Sequence, residues 1–207
     1  MSSSFPWVLG SEPLAAHLRA GGAAVFPTDT LPALAALPEA AAHLWSLKAR
    51  PAHKPLILMG AALEQLQELL GQPWHPLWLE QARAVWPGAV TLVLPLQGPI
   101  AAHLHPGGPS LGLRVPACET ARSLLQRTGP LATTSANRSG EPPVREPHEA
   151  ALLFPDLPLL GPLPWPSASG QASTVLAWCP QAELSGALPW RVLRAGSTHP
   201  PAAATSE

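Results

Sequence analysis

Twenty-eight prolines among 207 residues limit the length of any helix or strand this chain can form. A proline fixes φ and removes a backbone N–H, so it sits in the first turn of a helix, at an edge or in a turn. Here the prolines are spread along the chain and often border apolar runs. That pattern predicts a folded protein of short elements joined by rigid turns, not a disordered one. The 46% hydrophobic content supplies a core for one domain. The domain is expected over residues 1–196, with 197–207 as a disordered tail marked by Pro-Pro and Ala-Ala-Ala.

The formal net charge is −1, so nothing in the overall charge draws nucleic acid, and an RNA contact would need a local basic patch. The two cysteines, Cys118 and Cys179, are far apart and form no C-x-x-C. Reduced thiols are expected, with neither a structural zinc nor a disulfide framework. Met1 to Phe5 has no basic stretch leading into an apolar one, and no apolar run free of proline and charge reaches membrane-spanning length. A cytoplasmic location with no membrane partner is the expectation.

Six helices are predicted. The first is N-capped by Ser11 and ended by Gly21-Gly22; the second runs from Pro38 to Arg50, with Leu44 and Leu47 inward, and is stopped by Pro51. The others cover Ala61 to Leu70, Pro76 to Val85, Cys118 to Thr128 and Glu146 to Leu153. Strands are predicted at Ala23 to Pro27, Leu56 to Met59, Val90 to Leu94, Leu111 to Val115, Leu131 to Thr134, Ser173 to Ala177 and Trp190 to Leu193. Helices and strands mix without strict alternation, which gives an α/β or α+β sheet with helices packed on it.

Polar turns interrupt this apolar frame at strand ends, where ligands gather in open sheets. Lys48-Ala49-Arg50-Pro51-Ala52-His53-Lys54 places three cations within seven residues, in a chain with only 12 Lys+Arg. The forked guanidinium and compact ammonium suit a polyphosphate, although such a cluster also serves as a solubilising turn. Thr28-Asp29-Thr30, Ser110 to Arg114, Thr133 to Asn137 and Ser173-Thr174 add hydroxyls that bind either a ligand or their own backbone. Arg114 lies in an apolar strand and requires a partner, an internal carboxylate or one on a ligand. His103-Leu104-His105 has metal-pair alternation but no third ligand nearby, so no metal site is assigned. No nucleophile motif, Walker A loop or dinucleotide fingerprint is present.

In order, Phe26-Pro27-Thr28-Asp29-Thr30, Lys48-Ala49-Arg50-Pro51 with Pro55-Leu56-Ile57, Trp86-Pro87-Gly88 through Leu94, Leu113-Arg114-Val115-Pro116, Thr134-Ser135-Ala136-Asn137-Arg138-Ser139-Gly140, Ala172-Ser173-Thr174-Val175 and Leu193-Arg194-Ala195-Gly196 resemble the YrdC-like family, the L-threonylcarbamoyladenylate synthases. The resemblance runs from about residue 20 to residue 196. It implies a twisted mixed β-sheet with flanking helices around a concave basic cavity. It also implies an enzyme that joins L-threonine, bicarbonate and ATP into threonylcarbamoyl-AMP and pyrophosphate. A transfer complex then delivers the threonylcarbamoyl group to tRNA.

By motif position the resemblance assigns Thr30, Arg114, Thr133 and Ser173 to L-threonine. It assigns Arg50, Lys54, Ser110, Ser135, Asn137 and Arg194 to ATP, and Lys48 with Arg50 to catalysis. Magnesium is expected to arrive with the triphosphate, with no structural metal. The chain departs from the family after Thr30: Leu31-Pro32-Ala33-Leu34-Ala35 lacks the usual aromatic and glycines. Two alternatives share the fold, a carbamoyl-adenylate-forming relative and an RNA-binding protein without catalysis.

Overall fold

The computed structural model describes residues 7–51, 54–181 and 189–198. One sheet of ten strands organises them: β1 (Val8–Leu9), β2 (Ala23–Phe26), β3 (Ala33–Ala36), β4 (Ile57–Met59), β5 (Val90–Leu94), β6 (Leu111–Arg114), β7 (Leu131–Ser135), β8 (Leu159–Leu160), β9 (Thr174–Trp178) and β10 (Trp190–Arg194). Their order is β1-β8-β2-β3-β7-β4-β6-β5-β9-β10. The pairing is mixed: β4 runs parallel to β6 and β5 to β9, whereas β2–β3, β3–β7, β4–β7, β5–β6 and β9–β10 are antiparallel. This is the expected twisted mixed sheet with flanking helices.

Seven α-helices accompany the sheet among the described residues: α1 (Ser11–Arg19), α2 (Ala42–Lys48), α3 (Leu63–Leu70), α4 (Pro76–Val85), α5 (Pro99–Leu104), α6 (Glu119–Thr128) and α7 (Pro147–Leu153). All are short, and four begin on or near a proline in the first turn, where the missing N–H costs nothing. Gly10, not Ser11, occupies the N-cap of α1, and no side chain caps it. Gly71 closes α3 in the left-handed conformation, as expected.

Three strands and one helix were not legible in the sequence. β1 and β8 have two residues each, too short for a period. β3 is mostly alanine, a weak strand former, and follows Pro32. Yet it lies between β2 and β7 with all four residues buried, where small side chains let layers approach on both faces. His103, read as half of an alternating pair, lies in α5, and His105 follows that helix.

The two faces of the sheet are covered differently. On one, Leu34, Leu58, Leu92, Leu113, Ala132 and Leu176 pack with residues of α2, α4, α5 and α7 into the larger core. On the other, Leu14 and Leu18 of α1 with Leu124 and Leu125 of α6 cover Ala24, Phe26, Ala33, Ala35 and Leu131. That second layer stops near β4. Among the described residues no helix covers the rest of the face, over β4, β6, β5 and β9, which forms the floor of the site. Beyond β10 the chain stays paired: Ser197 N–H donates to Ala172 O at 3.2 Å, and Thr174 Oγ1 donates to Thr198 O. Residues 199–207, most of the expected tail, lie outside the described residues.

Candidate active site

The uncovered floor carries a cavity of about 520 Å³, within the ~300–1,000 Å³ usual for small-molecule sites. Its floor follows from strand alternation. Successive side chains point to opposite faces, so Ile57 and Met59, Thr91 and Val93, Gly112 and Arg114, and Thr133 and Ser135 all emerge on this side. The residues between them, such as Leu58, Leu92 and Leu113, enter the larger core. Register aligns Thr133, Ile57, Gly112 and Val93 in one row across four strands, with Met59 beside Arg114 in the next. Gly112 lies in the middle of the floor. A Cβ there would meet Ile57 Cγ2 at 2.8 Å, so glycine both avoids a collision and keeps the floor hollow.

At one end of the floor Arg114 is 3% exposed. Its Nη2 donates to Asp29 Oδ1 at 2.8 Å, Nη1 to Thr30 Oγ1 at 2.8 Å and Nε to Gly88 O at 3.1 Å. Of the two partners the sequence left open, the internal carboxylate is present. Burial lowers the Arg114 pKa and Asp29 opposes the shift. Thr28 Oγ1 lies 3.0 Å from Thr30 Oγ1 and donates to Leu31 O. Thr91 Oγ1 lies 2.9 Å from Ser173 Oγ, and Arg194 donates through Nε and Nη2 to Ser173 O. Hydroxyls and guanidinium groups are thus fixed in place before any ligand arrives.

At the other end, roughly 13 Å away by four strand steps from Arg114 to Ser110, Ser110, Pro55, Leu56 and Arg50 line the cavity. Arg50 Nη2 donates to Pro55 O at 3.2 Å, while its Nε is buried with no hydrogen-bond partner among the described residues. A buried donor without an acceptor is costly, and a ligand oxygen would satisfy it. Burial lowers the pKa of Arg50 and of Arg194. Among the described residues, three guanidiniums and no carboxylate line the hollow, which suits an anion.

Lys48 is placed differently from Arg50, although only one residue separates them. Arg50 N–H donates to Trp45 O and Ala49 N–H to Ser46 O, the bond pair of a Schellman motif. Ala49 adopts φ 49° and ψ 45°, where glycine is usual. The reversal leaves Lys48 under the wall at 1% exposure and brings Arg50 to the cavity. Lys48 Nζ donates to Ser135 O, to Asn137 O at 2.7 Å and to Asn137 Oδ1 at 2.8 Å. Burial, and secondly the charge on Arg50, lowers the Lys48 pKa from 10.5 to about 7. Asn137 also accepts from Ser135 Oγ at 2.7 Å and donates to Glu141 O. Together Lys48 and Asn137 hold the loop that presents Ser135.

Of the sequence-assigned residues, Thr30, Arg50, Ser110, Arg114, Thr133, Ser135, Ser173 and Arg194 line this one cavity; Lys48, Lys54 and Asn137 do not. Lys54 is exposed, and Ala52 and His53 of the basic turn lie outside the described residues. The assignment omitted Thr28, Thr91 and His105, which line the cavity too. Thr91 did carry a signal, as the one hydroxyl in the apolar strand Val90–Leu94.

The Sua5/YciO/YrdC family model, described as "Telomere recombination", matches residues 16–196. The chain belongs to this family. Among its relatives, a protein of Neisseria meningitidis named threonylcarbamoyl-AMP synthase is 35% identical over 158 residues, 72% of this chain and 83% of the relative. One of the same name from Halorhodospira halophila is 37% identical over 144 residues, 68% of this chain and 75% of the relative. Among solved structures, P. abyssi Sua5 complexed with L-threonine superposes with a TM-score of 0.78 at 30% identity, over 90% of this chain. The chain spans 54% of that longer protein. E. coli YciO shares the fold, with a TM-score of 0.76 at 20% identity over 96% of this chain and 98% of that one.

Proposed function

We propose that this chain is an L-threonylcarbamoyladenylate synthase acting in tRNA modification. The observation that carries the reading is the convergence of three guanidiniums and a set of anchored hydroxyls on one hollow long enough for a nucleotide beside an amino acid. The name shared by its relatives and the threonine bound to the superposable Sua5 support it. L-Threonine takes the Arg114 end, with Thr30, Thr133 and Ser173. ATP takes the end formed by Arg50, Ser110 and Ser135, with Arg194, anchored on Ser173 O, reaching it from the threonine side. Lys54, exposed next to the cavity-lining Pro55, would serve the outer phosphates. Lys48 and Asn137 act as positioning residues by holding the Ser135 loop.

The chemistry requires positioning and charge neutralisation more than a protein nucleophile. Threonine's amine and bicarbonate give a carbamate and water. A carbamate oxygen attacks the α-phosphorus, a P–O bond forms there, and the bond to the departing pyrophosphate breaks. Arg50 and Arg194 offset the charge that develops on the phosphate oxygens. Among the described residues the cavity lining offers no carboxylate, and Asp29 is already bonded to Arg114. The residues therefore do not form a magnesium site, and the ion would travel with the triphosphate, held by phosphate and water. Among the described residues no helix is long and apolar enough to cross a membrane. We place the reaction in the cytoplasm, with tRNA and a threonylcarbamoyl-transfer complex downstream.

Radiolabelled bicarbonate tests the reading. Incubated with the protein, L-threonine and ATP, the label should appear in a nucleotide adduct that also contains threonine. Label in an adduct formed without threonine would favour a carbamoyl-adenylate chemistry, and RNA retention with no nucleotide binding would favour a non-catalytic role.

A further inference from the structure

His105 lines the nucleotide end of the cavity and has no part in the site assigned above. Its Nδ1 lies 2.8 Å from Ser110 O. A carbonyl oxygen only accepts, so Nδ1 must carry the proton, and in the neutral ring Nε2 is then an acceptor. No bond from Nε2 is present among the described residues. The ring is packed on one side. It lies against Gly108, where a Cβ would stand 2.1 Å from Nδ1, and Gly108 N–H donates to His105 O at 2.9 Å. The loop from His105 to Ser110 therefore fixes one ring edge and leaves the other to meet a ligand.

From this geometry we infer that His105 is a specificity residue: Nε2 accepts a hydrogen bond from the exocyclic amine of the adenine base, and so selects a 6-amino purine over a 6-oxo purine. The inference rests on the cavity being a nucleotide site, as proposed above. A phosphate oxygen is itself an acceptor and makes a poor partner for a neutral Nε2, so the group beside His105 is a donor on the nucleoside. Pro55 and Leu56, on the same end of the cavity, supply apolar surface for a base. A 6-oxo purine would set acceptor against acceptor.

The test is calorimetric binding of ATP and of ITP, which differ at position 6, at mildly alkaline pH with L-threonine present. Wild type should bind ATP ~10-fold or more tightly than ITP, consistent with one buried hydrogen bond and one repulsion. His105→Ala should bring the two affinities within about two-fold by weakening ATP, whereas His105→Gln, which restores an acceptor, should recover part of the preference. Gly108→Ala should displace the ring and lose the preference with His105 still present. Wild type that binds both nucleotides equally overturns the inference while leaving the nucleotide site intact. A folded His105→Ala variant with the wild-type ratio does the same. Wild type that binds neither nucleotide removes both the inference and the reading it rests on.

Discussion

Arg114 and Asp29, 85 residues apart in sequence, form a 2.8 Å ion pair with side chains only 4% and 18% exposed. Asp29 Oδ1 also accepts from Ala117 N–H at 3.0 Å. The pair ties the turn after β2 to the end of β6 and fixes the guanidinium at the floor of the cavity. Removing one partner of a buried pair leaves the other charge uncompensated, so Asp29→Ala should cost ~3–5 kcal/mol of stability. Urea denaturation checks this; a loss under ~1 kcal/mol, the level of exposed pairs, would contradict it.

Arg50 presents a buried Nε without an acceptor among the described residues. Arg50→Ala should weaken ATP binding by ~1.5–3 kcal/mol, the value for a hydrogen bond to a charged group. Threonine affinity measured alone should stay the same. Unchanged ATP affinity in a folded variant would remove Arg50 from the site.

Ala49 holds the left-handed position that separates Lys48 from Arg50. An L-residue there is strained by ~1–2 kcal/mol, partly offset because alanine also restricts the unfolded chain. Ala49→Gly should therefore stabilise the protein by ~0.5–1 kcal/mol in chemical denaturation with little change in nucleotide binding. Destabilisation would show that the turn is held by something other than its own geometry.

Lys48 gives a pH signature. Between about 7 and 10.5 the unfolded chain keeps a proton that the folded one has shed, so the contribution of this residue to stability rises with pH across that window. Below about 7 both states are charged and the cost of burying the ammonium is full. Three oxygen acceptors oppose the loss of the proton, but burial prevails. The stability of wild type relative to Lys48→Met should climb as the pH rises from about 7 to about 10. Parallel profiles for the two proteins would contradict this.

Much of this was legible in the chain because strand ends coincide with polar residues. Thr30, Ser110, Arg114, Ser135 and Ser173 interrupt or end apolar runs; strand alternation places the last four on one face, and Thr30 reaches the same cavity from the turn after β2. The limits have physical causes. Strand propensity does not mark β3, because its alanines are selected by close packing on both faces. Nor does charge alone tell Lys48 from Arg50. Both are cations in one turn, and only the left-handed residue between them sends one behind the wall and the other into the hollow. His105 was obscured by its spacing from His103, which suggested a metal pair, whereas its setting depends on Gly108 packing against the ring.

A single hollow, in the function proposed here, brings ATP and L-threonine together for threonylcarbamoyl-adenylate formation. Pyrophosphate release from ATP, measured with L-threonine and bicarbonate supplied together and then with each withheld, tests it most directly. Release is expected only when both are present, and is lost in Arg50→Ala. Release that continues without L-threonine, or none under any of these conditions from a folded protein that binds ATP, would contradict it.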